Sequence, residues 1–248
     1  MAKKRLTGVY LEGSGDTGFS NLSGIEGRVS KGSFYTAFFS ALDDLQHSLS
    51  NFLSHNPEMV EEVDQQFIAY LLQLSFSTNA LIYSGFEDDP KVPDCPNWCE
   101  KQLPGQDGYD FMQERINYFK QECAKLRGGD LSSEFIVPSN YLNKLRLKTR
   151  FLESQIWAFR DQRRDFFTKK IKDELFTIDK YGKDISSVID LVNTWEVVRK
   201  RIAILGTFFN RLSSYFFWAM SLQLLQQGGS LEEWRSQAPV LADFINKT

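Results

Sequence analysis

Three groups of residues in this chain have types and spacings suited to chemistry. The first is the stretch from Gly13 to Gly24, where Gly15 and Gly18 flank Asp16 and Thr17, and Ser14 and Ser20 add hydroxyl donors. Glycines let backbone N–H groups turn towards phosphate oxygens, although the same composition also suits a plain surface arm. Lys31 follows, either as a point charge for phosphate or as a solvated lysine ahead of a helix. The second group lies beside hydrophobic seams. Asp43 neighbours Leu42 and Leu45, and Arg150 neighbours Thr149. A guanidinium there can grip the carboxylate, or a phosphate, in a planar two-pronged contact. Glu153 shares the helix face of Arg150, and as a mere surface pair the two would contribute about 0.2–0.5 kcal/mol. The third group is Asn210, Ser213, Ser214 and Phe217 on one face of a late helix. It suits either adenine and ribose or a hydrogen-bonded helix contact. Cys95 and Cys99 have i,i+4 spacing, but a metal site needs two further ligands, and His47 and His55 lie far back in the chain. No metal site is expected, and the thiols read as buried or idle.

The elements that must position these groups read as helices almost throughout. Residues 1–34 form an extended, loop-like arm. Phe38, Leu42, Leu45, Leu49 and Phe52 then step by four and three, which predicts one face of a helix. Val60, Val63, Phe67, Leu71, Leu74 and Leu81 predict a second, after a break at Asn56-Pro57. Residues 85–109 hold four of the seven prolines and predict a long loop. Met112, Ile116, Phe119, Cys123 and Leu126 mark the next helix, closed by Gly128-Gly129. Leu142, Leu145, Thr149, Leu152, Ile156 and Phe159 hold a heptad-like seam that extends into a charged stretch and turns near Tyr181-Gly182. A last run goes from Val188 to Ala219 and ends at Gly228-Gly229, with a short helix expected from Leu231. The sum is an all-α, up-and-down antiparallel bundle of five or more helices over residues 1–248 as one domain.

Composition narrows the partners. A formal net charge of −3 over 248 residues offers no basic surplus for nucleic acid. The most apolar segment, residues 205–225, carries Asn210 and Arg211 near its middle, which argues against a membrane span. Three cysteines and no apolar leader suggest a reduced, cytoplasmic setting. The bundle pattern is ferritin-like, yet no Glu-x-x-His motif occurs and there are only two histidines, so a di-metal oxidase is excluded.

Four segments, in order, resemble the motifs of the ATP:cob(I)alamin (corrinoid) adenosyltransferases of the propanediol-utilisation type. They are Ser14–Leu22, similar to that family's T-G-D-x-G-x-T-x-L loop; Arg28–Lys31 with Ala41–Gln46; Phe135-Ile136-Val137-Pro138, similar to F-I-L-P, with Arg150 and Glu153 near an arginine-rich run; and Phe209–Phe217, similar to Y-L-N-R-L-S-D-x-L-F. The resemblance leaves out 85–109 and 161–204, which read as insertions, and Thr17 stands where the family has Lys. It implies a homotrimer with ATP and corrinoid between subunits. ATP, accompanied by Mg²⁺, would be held by Ser14, Gly15, Asp16, Gly18, Ser20, Lys31, Glu153 and Asn210. Asp43 and Arg150 would form a pair that bridges subunits and shapes the ATP site. Phe135 would cover the lower face of cobalt and exclude a ligand there. The implied reaction moves the 5′-deoxyadenosyl group of ATP to reduced cobalt. The alternative is a non-catalytic corrinoid- or nucleotide-binding or assembly protein of the same descent.

Overall fold

In a computed structural model the structure describes residues 19–21, 28–30, 34–88, 97–128, 135–136, 140–182 and 184–233. Helix α1 (Phe34–His55) leads through a short 3₁₀ turn (Pro57–Met59) into α2 (Glu62–Ser84). Then come α3 (Trp98–Gln102), α4 (Gln106–Arg127), α5 (Tyr141–Tyr181) and α6 (Ser186–Gln226). Two small antiparallel ribbons accompany them: β1 (Phe19–Asn21) with β2 (Arg28–Ser30), and β3 (Phe135–Ile136) with β4 (Glu232–Glu233). The fold is all-α, with long helices packed on each other. None of the helices among the described residues is long and apolar enough to cross a membrane.

Three readings of the sequence are corrected. The 85–109 stretch is not all loop, because α3 forms within it and α4 starts at Gln106. Residues after Leu231 begin with strand β4 rather than a helix, since Phe135 pairs with Glu233 and Ile136 with Glu232. Val63, expected on the core face of α2, is 40% exposed, and its neighbour Asp64 is buried instead at 1%.

Asp64 is buried because three helices satisfy it. Arg115 of α4 donates from Nε to Oδ1 at 2.9 Å and from Nη2 to Oδ2 at 2.5 Å, and Tyr215 of α6 donates its hydroxyl to Oδ1 at 2.8 Å. Arg115 also holds Glu61, which accepts from Tyr118 as well. Around this network Phe67, Phe111, Phe119 and Tyr215 pack ring on ring, with centroids 4.6–5.5 Å apart. Burial, and then the Asp64 charge, push the Tyr215 phenol well above its ordinary pKa, so it stays a donor.

Helices α2 and α4 run in opposite directions, since Glu61 meets Tyr118 while Phe67 meets Phe111. The pair α4 and α6 nevertheless runs parallel: Tyr109 meets Phe208, Gln113 meets Arg211, and Lys120 meets Trp218, so the contacts advance together. Helices α5 and α6 have 41 residues each, about 60 Å, against 22 or 23 for α1, α2 and α4. Their surplus length makes an antiparallel arm. At its base two buried arginines clamp the chain that follows α2. Arg163, 2% exposed, bonds Glu87 and lies against Gly85, where an added Cβ would come within 3.2 Å of the guanidinium. Gly85 also has φ +65°, so both space and backbone favour glycine. Arg201 donates to Glu100, to the Phe86 carbonyl and to Asp88. The stretches 85–109 and 161–204 are thus held to each other.

Asp64→Ala removes both bonds from Arg115 to this carboxylate and the acceptor of the Tyr215 hydroxyl, leaves Glu61 as the carboxylate partner of Arg115, and should cost about 3 kcal/mol in denaturant unfolding. Tyr215→Phe should cost about 1.5–3 kcal/mol, as for one hydrogen bond to a charge. Losses below 1 kcal/mol in both would show that the network is peripheral to stability.

Candidate functional site

Helix α5 starts on a capped end: Asn140 accepts from the Asn143 backbone N–H at 3.0 Å, and its amide donates to Gln223 of α6. From there α5 and α6 run side by side in one antiparallel register. Arg146 lies over the Phe217 ring at 5.4 Å, Phe167 meets Trp195, and Ser187 donates to Glu174. Gly206 lets the helices close on Trp157: an added Cβ would sit 2.7 Å from the indole.

Between the Arg146–Phe217 and Trp157–Gly206 contacts, this register sets Arg150 at the level of Ser213 and Glu153 at the level of Asn210. Arg146, Arg150, Glu153 and Trp157 step by four, three and four on α5, and Gly206, Asn210, Ser213 and Phe217 do the same on α6. Arg150, Glu153 and Asn210 are therefore brought to one face of the α5–α6 pair. Arg150 and Asn210 are exposed, and Glu153 is partly buried and accepts from the Trp157 indole N–H at 3.2 Å. Ser213 is not open to a ligand, because it is buried and donates to the Asn210 carbonyl.

Asp43 and Arg150 do not pair within one chain. Here the α1–α5 ion pair is Asp44 with Lys148. Arg150 lies two residues beyond Lys148, about 200° round the helix, and so points away from α1. Asp43 is exposed on α1. Ser14, Gly15, Asp16, Gly18 and Lys31 lie outside the described residues. For Ser20, opposite Val29 in the first ribbon, and Phe135, opposite Glu233 in the second, the backbone alone is described.

Sequence reading missed Arg146. It is partly buried, and Nη1 donates to Asn143 Oδ1 at 3.1 Å. Burial, and then the Arg150 charge, lower its pKa from the usual guanidinium value. The available signal was the i,i+4 arginine spacing beside the Leu145–Thr149 seam. Arg163 had a signal too, since it continues the four-residue steps from Phe159 to Phe167. A separate cleft of about 190 Å³ opens between the start of α2 and the end of α6, lined by Glu58, Glu61, Asp64, Phe119, Leu222 and Gln223 among others. None of the residues expected from sequence to act lines it.

Among the described residues no group of three His, Cys, Asp or Glu side chains is placed to hold a metal. Cys99 is buried, with its sulfur 3.8 Å from the Ser84 hydroxyl and its N–H bonded to Asp88. Cys95 lies outside the described residues. No protein-family model matches this chain, and no curated protein matches it.

Burial pushes the Cys99 and Cys123 thiols up to about 11, so the reactive thiolate is scarce until the pH approaches that value. Both should resist alkylation in the folded protein at pH 8 and react after denaturation. Residue-resolved mass spectrometry measures this, and rapid native labelling of either would contradict the packing at the base of α3 or in α4.

Proposed function

We propose that this chain is an ATP-dependent corrinoid adenosyltransferase, in which the α5–α6 face forms part of the ATP site. The observation that supports this reading is the meeting of Arg150, Glu153 and Asn210 on that face. These are three residues that the motif resemblance selects from sequence positions up to 60 apart, and the α5–α6 register sets Glu153 level with Asn210. In this proposal Arg150 binds phosphate or a carboxylate of a second copy, and Asn210 binds adenine or ribose. Asp43, exposed and unable to reach Arg150 of its own chain, serves the neighbouring copy in a homotrimer. Mg²⁺ would arrive with the phosphates of ATP, which suits an ion that prefers phosphate and water ligands to an all-protein cage. The reduced cobalt of the corrinoid substrate attacks the 5′ carbon, and triphosphate leaves. Phe135 would occupy the lower face of cobalt and keep other ligands off it.

The direct test is anaerobic incubation with ATP, Mg²⁺ and chemically reduced cobalamin, following adenosyl–cobalt formation by absorption. Product is expected; ATP and corrinoid binding without product would favour the non-catalytic alternative. Phe135→Ala should keep the melting temperature and ATP affinity while abolishing the four-coordinate cob(II)alamin spectrum. A fall in melting temperature alone would make Phe135 a packing residue.

Oligomeric state is a second test. Light scattering at micromolar concentration should give a trimer, and Asp43→Asn should weaken it. A strict monomer with and without ATP would rule out the shared site.

A further inference from the structure

We infer that one side of the α5–α6 arm is a self-association surface, on which the arm of a second copy of this chain packs antiparallel about a two-fold axis. Phe167 meets Trp195 and Glu174 meets Ser187, so the helices face each other in steps of three and four from Phe167 to Ile178 and from Val188 to Val198. A residue one position later lies about 100° further round its helix. In an antiparallel pair that same rotation brings the later positions of both helices to one common side. On α5 these are Thr168, Lys172, Leu175 and Asp179; on α6 they are Ile189, Val192 and Glu196, with Ile185 one turn before Ile189. Leu175, Ile185, Ile189 and Val192 are all exposed, and together they make one apolar strip, which marks an interaction surface. The opposite side is mixed, with Lys170, Asp173, Asp190 and Thr194 beside Phe166 and Val197.

A second copy is the occupant because this side is complementary to itself. Lys172 and Asp179 lie one turn to either side of Leu175, both exposed, and neither makes a salt bridge among the described residues. Ile185 and Val192 lie one turn to either side of Ile189. The bond between Glu174 and Ser187 sets Leu175 and Ile189 within about 5 Å of one level along the arm. A two-fold axis crossing the arm at that level turns each helix onto its own copy. Leu175 then meets Leu175, Ile189 meets Ile189, Ile185 meets Val192, and Lys172 of each copy comes opposite Asp179 of the other. A parallel pairing would instead lay α5 on α6 and stack the Lys172 charge on Ile189, which is unfavourable. From Arg164 to Tyr181 the arm is about 27 Å long and about 20 Å across its two helices, so the pair would bury about 1,000 Å² in total. That is the lower end for a specific interface and predicts reversible association.

The pairing goes beyond the proposed function, uses none of its site residues, and joins copies whether or not each already belongs to a trimer. The test is sedimentation of the full chain from micromolar to millimolar concentration, where the average mass should rise to at least twice its micromolar value. Lys172→Asp and Asp179→Lys should each weaken this association about 10-fold, because like charges then meet twice in each pair, and the double exchange should restore it. Ile189→Asp should abolish it, and Val197→Asp on the opposite side should leave it unchanged. If circular dichroism shows that Ile189→Asp loses helix, the charge exchange at the two exposed positions decides. Ile189→Cys, close to the axis, should give a disulfide-linked dimer on mild oxidation, whereas Val197→Cys and the unsubstituted chain should not. A mass that stays constant to millimolar concentration overturns the pairing, as does a rise that the charge variants leave untouched. Retention on phosphatidylcholine vesicles, lost in Ile189→Asp and unaccompanied by self-association, also overturns it and assigns the strip to a lipid surface. A trimer that makes adenosyl–cobalt but never grows would remove the pairing and leave the proposed function; growth without that product would do the reverse.

Discussion

A carboxylate with 1% of its surface exposed is the constraint around which the bundle is arranged. Asp64 is stable in the core only if its oxygens are supplied with donors, because an unpaired buried charge costs several kcal/mol. The donors come from α4 and α6, so one side chain on α2 ties three helices at a single level. Arg115 in turn reaches Glu61, and stacks near Tyr118 and Phe119. The parallel alignment of α4 with α6 is compatible with this, since Arg115 and Tyr215 must approach the same carboxylate from neighbouring helices.

The same requirement, with the sign reversed, organises the opposite end. Arg163 and Arg201 are almost wholly buried, and the acceptors they need come from Glu87, Asp88, Glu100 and the Phe86 carbonyl. A stretch rich in proline and glycine is thereby drawn onto the base of the α5–α6 arm. Asp88 shows the coupling. Burial alone would raise its pKa, but the Cys99 N–H and Arg201 outweigh it and hold the carboxyl below its usual value. Further out, the arm exposes Leu175, Phe176, Ile185, Ile189 and Val192.

Charges that cross between helices with a partner set the architecture. Arg146 and Arg150, which have no carboxylate partner among the described residues, lie on the face that also carries Glu153 and Asn210. The register of α5 against α6 connects the two, since the contacts that align the helices, from Gln223–Asn140 to Ser187–Glu174, also decide which residues share that face.

The helices were legible in the sequence because burial along one face repeats every three or four residues, and Phe38 to Phe52 and Leu142 to Phe159 follow that period without a break. The turn at Gly182 was legible for a similar local reason, its left-handed backbone. Periodicity marks positions on a helix face but not their polarity. For that reason Asp64 was passed over in favour of Val63, Arg163 was read only as part of a charged stretch, and Arg201 was not singled out. Whether a charged residue can be buried depends on a partner 50 to 150 positions away, such as Arg115 or Tyr215 for Asp64. Motif spacing did select Arg150, Glu153 and Asn210 separately. Tertiary packing alone put them on one face, turned Arg150 away from Asp43, and added Arg146, because which side chains face each other is set by helix register and not by order along the chain.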